Sequence, residues 1–172
     1  MYRQANAKEL TTLKRAFHNW GIFDFFLDKE ILVNETDNKT KEIYLLAPRA
    51  KEILCGKDAY CAGLKIGELK KKFLPSMQGA DIIARKSRKF SHIVVDENAE
   101  KLVLYGRDIL GSSIMEISER LSENDIVVIL NKNREAIGVG RTRFPAPLLL
   151  RPGKVTVTTI VDAGYYLREE NN

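Results

Sequence analysis

The chain has 172 residues, 44% of them hydrophobic and 30% charged, with a formal net charge of +5. That length fits one large domain or two small ones, and the composition supplies a core, which excludes a disordered chain. No apolar run reaches membrane-spanning length, no signal-peptide pattern opens the sequence, and two cysteines, Cys55 and Cys61, are too few for a disulfide framework, so a cytoplasmic protein is expected.

Leu10, Leu13, Phe17 and Trp20 recur at helical spacing, which predicts an amphipathic helix over residues 7–20 stopped at Gly21. Glu30–Asn34 and Glu42–Ala47 read as a strand pair around the polar loop Glu35–Lys41. Pro48 suits the first turn of a short helix through Leu54, ended at Gly56. Leu64–Leu69 alternates partly and reads as a strand, and Pro75 and Ser76 open a further short helix or turn. These elements make an α+β domain over residues 1–89, with the basic segment Arg85–Lys89 as the expected linker.

The remainder, residues 90–172, begins with a short strand from His92 to Val95 and a helix opened by Asp96. Ala99, Leu102 and Val103 form that helix's expected buried stripe, and Gly106 ends it. Three or four strands follow, separated by turns at Ser122–Asp125 and Asn131–Arg134. Asp162 is placed to cap a last short helix that packs back through Ala163, Tyr166 and Leu167. Helices this small cannot cover a sheet on both faces, so a small twisted β-barrel is expected.

Charge is unevenly placed. Residues 1–90 hold 18 Lys/Arg against 11 Asp/Glu, and residues 91–172 hold 10 against 12. Within the acidic half, Ala136 to Val161 contains Arg141, Arg143, Arg151 and Lys154 and no acid. A clean basic segment in an acidic module points to a local anion-binding face, with an ordinary solvated surface as the alternative.

Catalytic signals are weak. His18 and His92 fall in different expected domains, and the spacing of Cys55 and Cys61 is unlike that of a zinc ribbon. Gly138-Val139-Gly140-Arg141-Thr142-Arg143 begins like a dinucleotide fingerprint, fails at its sixth position and lies between strands. Its small residues instead admit close approach of another backbone or an RNA strand. Asp108 and Asp125 read as turn residues. No triad, paired-carboxylate motif or phosphate loop is visible, and a small barrel leaves little room for a deep pocket. The expectation is a non-enzyme with no cofactor and no metal.

The order of elements resembles the PUA domain, an RNA-binding module of RNA-modification and ribosome-assembly proteins. VVDENAEKLVLYGRDIL is similar to its opening strand, helix and glycine turn, and ENDIVVILNKNREAIGVG to its paired strands. DAGYYLREE, with AGLKIGELKKKFLPSMQGADIIAR upstream, resembles the stand-alone two-domain ribosome-biogenesis proteins called Nip-seven in eukaryotes, which have archaeal counterparts.

The resemblance implies an α+β N-terminal domain followed by a PUA-like β-barrel with short flanking helices. It implies a non-catalytic role in large-subunit biogenesis and rRNA processing, with precursor rRNA bound by the PUA domain. Ribosome-assembly factors, and in archaea the exosome, are the implied protein partners. Carried onto this chain, the family's RNA surface falls on Gly106, Arg107, Arg141 and Arg143, with Arg151 and Lys154 where archaeal relatives are basic. The turn after Gly106 would expose backbone N–H groups beside Arg107. Gly111-Ser112-Ser113 replaces the Pro-Gly common in the family's glycine turn. Two other readings stay open: a PUA-bearing translation-initiation-type factor, whose relatives typically end in a segment like DGLW, and an RNA-targeting subunit of an RNA-modifying enzyme.

Overall fold

The computed structural model describes residues 2–36, 40–48, 63–165 and 168. Its backbone contacts divide the chain into two compact units, Met1–Arg88 and Lys89–Asn172.

The first unit is an antiparallel five-stranded sheet in chain order, from β1 (Tyr2–Gln4) through β2 (Glu30–Glu35), β3 (Lys41–Leu46) and β4 (Leu64–Leu69) to β5 (Phe73–Pro75). Helix α1 (Ala7–Asn19) starts in a capping box. The Asn6 side chain accepts from the Glu9 N–H, and the Glu9 carboxylate accepts from the Asn6 N–H. Its buried face carries Leu13 and Phe17. Phe17 stacks on Phe26 at 3.9 Å and meets Phe73 edge-on at 5.6 Å, which ties the helix to a 3-10 turn at Phe23–Phe26 and to β5. Helix α2 (Met77–Lys86) is capped by Ser76 and buries Gly79, Ala80 and Ile83.

Glu9 does a second job in this unit. Its carboxylate accepts two hydrogen bonds from Arg3 at 2.8 Å each and one from Lys41 at 2.8 Å. One buried carboxylate thereby joins β1, α1 and β3. The paired bonds from Arg3 hold the Glu9 carboxyl down to about 2 against the opposing effect of burial, with Lys41 and the Asn6 N–H adding to the depression.

The second unit is a six-stranded sheet curled into a nearly closed barrel. Its strands are β6 (His92–Val95), β7 (Ile109–Leu110), β8 (Ile114–Ile117), β9 (Ile126–Leu130), β10 (Ala136–Thr142) and β11 (Val155–Asp162), in the spatial order β7-β11-β10-β9-β6-β8. Only the β6–β9 pair is parallel. The barrel is filled by Ile93, Val95, Ile109, Val127, Ile129, Ile137, Leu149 and Val157, with Ala99 and Val103 contributed by helix α3 (Glu97–Leu104). Asp96 caps α3 by accepting from the Ala99 N–H at 2.8 Å.

Several expectations need correction. Leu102 is 49% exposed, because an eight-residue helix lying on a barrel buries only the narrow i, i+4 stripe of Ala99 and Val103. Five strands follow α3 where three or four were expected, since β7 and β8 are too short to show alternation. Arg85 and Lys86 are the last turn of α2, so they are not linker. Asp162 closes β11 and gives both carboxylate oxygens to Arg168, while Ala163 is exposed. The 42-to-47 strand runs Lys41–Leu46. The helix expected after Pro48, Cys55 and Cys61, and the packing of Tyr166 and Leu167, lie outside the described residues.

Candidate nucleic-acid interface

The site is built on β11 and the two strands beside it. Arg141 of β10 stands opposite Thr158 of β11, and Thr142 stands opposite the core residue Val157. Alternation therefore sends Arg141 and Thr158 away from the barrel interior, and Arg141 is exposed. The Arg143 N–H donates to the Thr156 carbonyl at 2.8 Å, which extends the same ladder by one pair. Arg143 donates to Thr158, so Arg141 and Arg143 line one side of the β10–β11 ribbon, and Lys154 is exposed one residue before β11 begins.

The β7 side of β11 supplies the rest. Tyr105 and Gly106 end α3 in a Schellman arrangement: the Gly106 N–H donates to the Val103 carbonyl at 2.8 Å and the Arg107 N–H to the Leu102 carbonyl at 3.0 Å. Gly106 takes φ +72°, the left-handed conformation this cap needs. The N–H groups of Gly106 and Arg107, the first two of the turn expected to expose such groups, are thus spent inside the protein. Gly106 serves the site by turning the chain so that Arg107 emerges beside β11, where the Thr159 hydroxyl donates to the Arg107 carbonyl at 2.8 Å.

Asp108 follows and is not a turn residue. One carboxylate oxygen accepts from the Thr159 N–H at 3.0 Å and the other from the Arg143 guanidinium at 2.7 Å. Arg143 also donates through Nε to the Thr158 hydroxyl at 2.7 Å. The segment that is free of acids in sequence is therefore not free of them in space. Asp125, by contrast, accepts from the Ser122 N–H at 2.8 Å within its own turn.

Arg151 and Lys154 sit at the other end of β11. The Gly111 N–H donates to the Lys154 carbonyl at 2.9 Å, and a side chain at Gly111 would overlap the Leu149 and Arg151 carbonyls. Gly111 is thus needed for the loop carrying Arg151 to lie against β7. Among the described residues, no hydrogen bond or ion pair engages the side chains of Arg107, Arg141, Arg151 or Lys154, and all four are exposed.

Of the six expected residues, Arg107, Arg141 and Arg143 converge on Thr158 and Thr159, and Arg151 and Lys154 extend the surface along the strand. Gly138 and Gly140 take no part in it. They are buried, and a Cβ at either would press on Ile129, with Val103 against Gly138 and Val157 against Gly140. Phe144 packs partly buried against the barrel core. Asp108 was read from sequence only as a turn residue, and Tyr105, 71% exposed next to Gly106, was not singled out.

Similarity to known proteins agrees with this architecture. The family model of the UPF0113 PUA domain matches residues 91–171, and that of the NIP7/UPF0113 pre-PUA domain matches residues 2–77. A UPF0113 protein of Archaeoglobus fulgidus is 36% identical over 98% of this chain and 95% of its own length. The chain belongs to the UPF0113 family. Solved structures share the fold at low identity. A hypothetical protein from Pyrococcus horikoshii superposes with a TM-score of 0.74 at 15% identity, covering all of both chains. A conserved PUA domain protein from Thermoplasma acidophilum gives 0.71 at 17% identity over 99% of both.

In this UPF0113 chain the pre-PUA unit is the more basic half, and among the described residues six of its cations are paired with acids. Arg3 and Lys41 are held by Glu9, Lys65 by Glu42 and Glu68, Lys29 by Asp28 and Arg85 by Asp81, while Lys70 lies 3.5 Å from Glu68. A cleft of about 330 Å³ in this unit is lined by Leu10, Phe17, Phe23, Phe26, Leu27 and Ile31 with Lys14, Lys29 and Glu30, and contains no His, Cys or Ser. Among the described residues, no group of three His, Cys, Asp or Glu side chains is placed to hold a metal, and no helix is long and apolar enough to cross a membrane.

Proposed function

We propose that this UPF0113 protein binds RNA through the outer face of β10–β11 in its PUA unit, and that its RNA is a precursor of the large ribosomal subunit. The observation that supports the proposal is the grouping of exposed Arg141 and Arg143 at Thr158 of β11, with Arg107 beside Thr159 and Lys154 and Arg151 near the start of the strand, in a unit whose overall charge is acidic. Guanidinium groups on a rigid sheet suit this ligand, because they bridge phosphate oxygens and stack on unpaired bases. The role is binding without catalysis, in rRNA processing in the cytoplasm. The pre-PUA unit is left to contact ribosome-assembly factors, with the exosome among the partners in archaea.

Crosslinking the protein to RNA in cells, with sites mapped on both molecules, tests this. Crosslinks on large-subunit precursor rRNA from peptides containing Arg141 or Lys154 support it. Crosslinks confined to messenger or transfer RNA would overturn the biogenesis role, and crosslinks from the pre-PUA unit alone would overturn the site.

A further inference from the structure

Arg143 differs from the other cations of the surface. Its Nε donates to Thr158 and its Nη2 to Asp108, both at 2.7 Å, so one whole edge of the guanidinium is occupied from within the protein. Asp108 is itself fixed by the Thr159 N–H. Two bonds in the guanidinium plane fix the orientation of that plane, and 46% of the side chain stays exposed. The adjacent carboxylate also offsets the charge of Arg143 and repels a phosphate brought close to it. The group is therefore a weak phosphate ligand and a rigid flat surface.

We infer that Arg143 is a stacking platform for an unpaired nucleobase, while the unpartnered Arg107, Arg141, Arg151 and Lys154 take the phosphates. This rests on the RNA-binding proposal and adds a division of labour to it. It predicts that the site prefers single-stranded or bulged RNA, in which a base is free to leave its neighbours. The aromatic residue next in sequence, Phe144, packs on the core and does not compete for the role.

The test compares two short single strands, one with bases and one with the same sugar–phosphate chain carrying abasic positions, on the full-length protein. Arg143→Lys keeps the charge and removes the plane. It should weaken binding of the base-bearing strand roughly five- to tenfold, the size of a cation–π contact, and leave the abasic strand unchanged. Thr158→Val removes one of the two anchors and should give a smaller loss with the same dependence on bases. Equal loss on both strands would assign Arg143 to a phosphate, and no loss on either would remove it from the site. Both results overturn the inference while leaving RNA binding intact. Wild-type protein that binds neither strand would overturn the RNA-binding proposal and this inference together.

Discussion

Arg143 and Asp108 are 35 residues apart in sequence and 2.7 Å apart in the fold. Their pairing follows from strand order: β11 lies between β7 and β10, so the residue entering β7 and the residue leaving β10 meet across it. The pair neutralises part of the basic face and holds Arg143 in one orientation.

Asp108→Ala is expected to release Arg143. The freed guanidinium becomes an ordinary phosphate ligand, so the salt dependence of binding to single-stranded RNA should steepen by roughly 0.7 in log–log slope. The preference for base-bearing over abasic strands should shrink at the same time. Loss of the acceptor for the Thr159 N–H is expected to cost about 1 kcal/mol of stability. An unchanged slope would show that Asp108 does not restrain Arg143.

Glu9 carries a pH signature. Its folded value of about 2 lies below the ordinary glutamate value of about 4.3. A depressed carboxylate stabilises the fold at pH above the unfolded value, and that contribution is lost as pH falls from there towards 2. It amounts to about 2–3 kcal/mol, reduced by the partial exposure of Arg3 and Lys41. Glu9→Gln keeps the reciprocal cap bond and removes the charge. Denaturant unfolding measured from pH 7 to pH 2 should show a variant that is less stable at neutral pH and has a flatter acid limb. An acid limb as steep as that of the wild type would mean that another carboxylate governs it.

Local signals made the helices legible. Asp96 and Ser76 cap by side chain, Gly106 terminates by φ, and each acts within one turn. The longer strands were legible from partial alternation, as at Leu64–Leu69, and from the polar loop between Glu30–Glu35 and Lys41–Leu46. β1, β5 and β7 were not, because two or three residues carry no period. The candidate site was half legible. The cations were visible as a run, whereas the acid that folds into them was not, because a contact across 35 residues leaves no trace in local sequence. Exposed N–H groups were expected along the turn from Gly106 to Gly111, and sequence alone does not count those at Gly106 and Arg107 that a Schellman cap consumes.

Thr156 is fully buried, and its hydroxyl has no hydrogen-bond partner among the described residues. A buried donor left unmade costs free energy that an apolar isostere avoids. Thr156→Val is therefore expected to stabilise the PUA unit by about 1 kcal/mol, read as a rise in thermal midpoint. Because the hydroxyl is inaccessible, RNA affinity should not change. Destabilisation would mean that the hydroxyl is satisfied in solution.

The two units are expected to fold separately. Each has its own sheet, and the PUA unit has a continuous core of its own. A fragment from Phe90 to Asn172 should be soluble and unfold in one cooperative transition. A fragment that is molten or aggregates would make contact with the first unit obligatory.

Total charge and local charge give opposite answers for the main RNA site. The first 90 residues carry a net +7 and the rest −2, so charge totals favour the pre-PUA unit. In the fold, six of its cations among the described residues are held by Glu9, Glu42, Glu68, Asp28 and Asp81. The exposed run Lys70-Lys71-Lys72 lies at the hairpin between β4 and β5, with Lys70 drawn to Glu68. Among the described residues Arg141 and Lys154 have no such partner, and they lie on and just before one strand ribbon, so their fields add. Replacing Arg141, Arg143 and Lys154 together by Ala should weaken RNA binding by roughly 1–3 kcal/mol. Replacing Lys70, Lys71 and Lys72 by Ala should cost less and act mainly through the salt slope. The measurement is affinity across a salt series for both variants, with thermal unfolding to verify the fold. A larger loss in the lysine variant would move the main site to the pre-PUA unit.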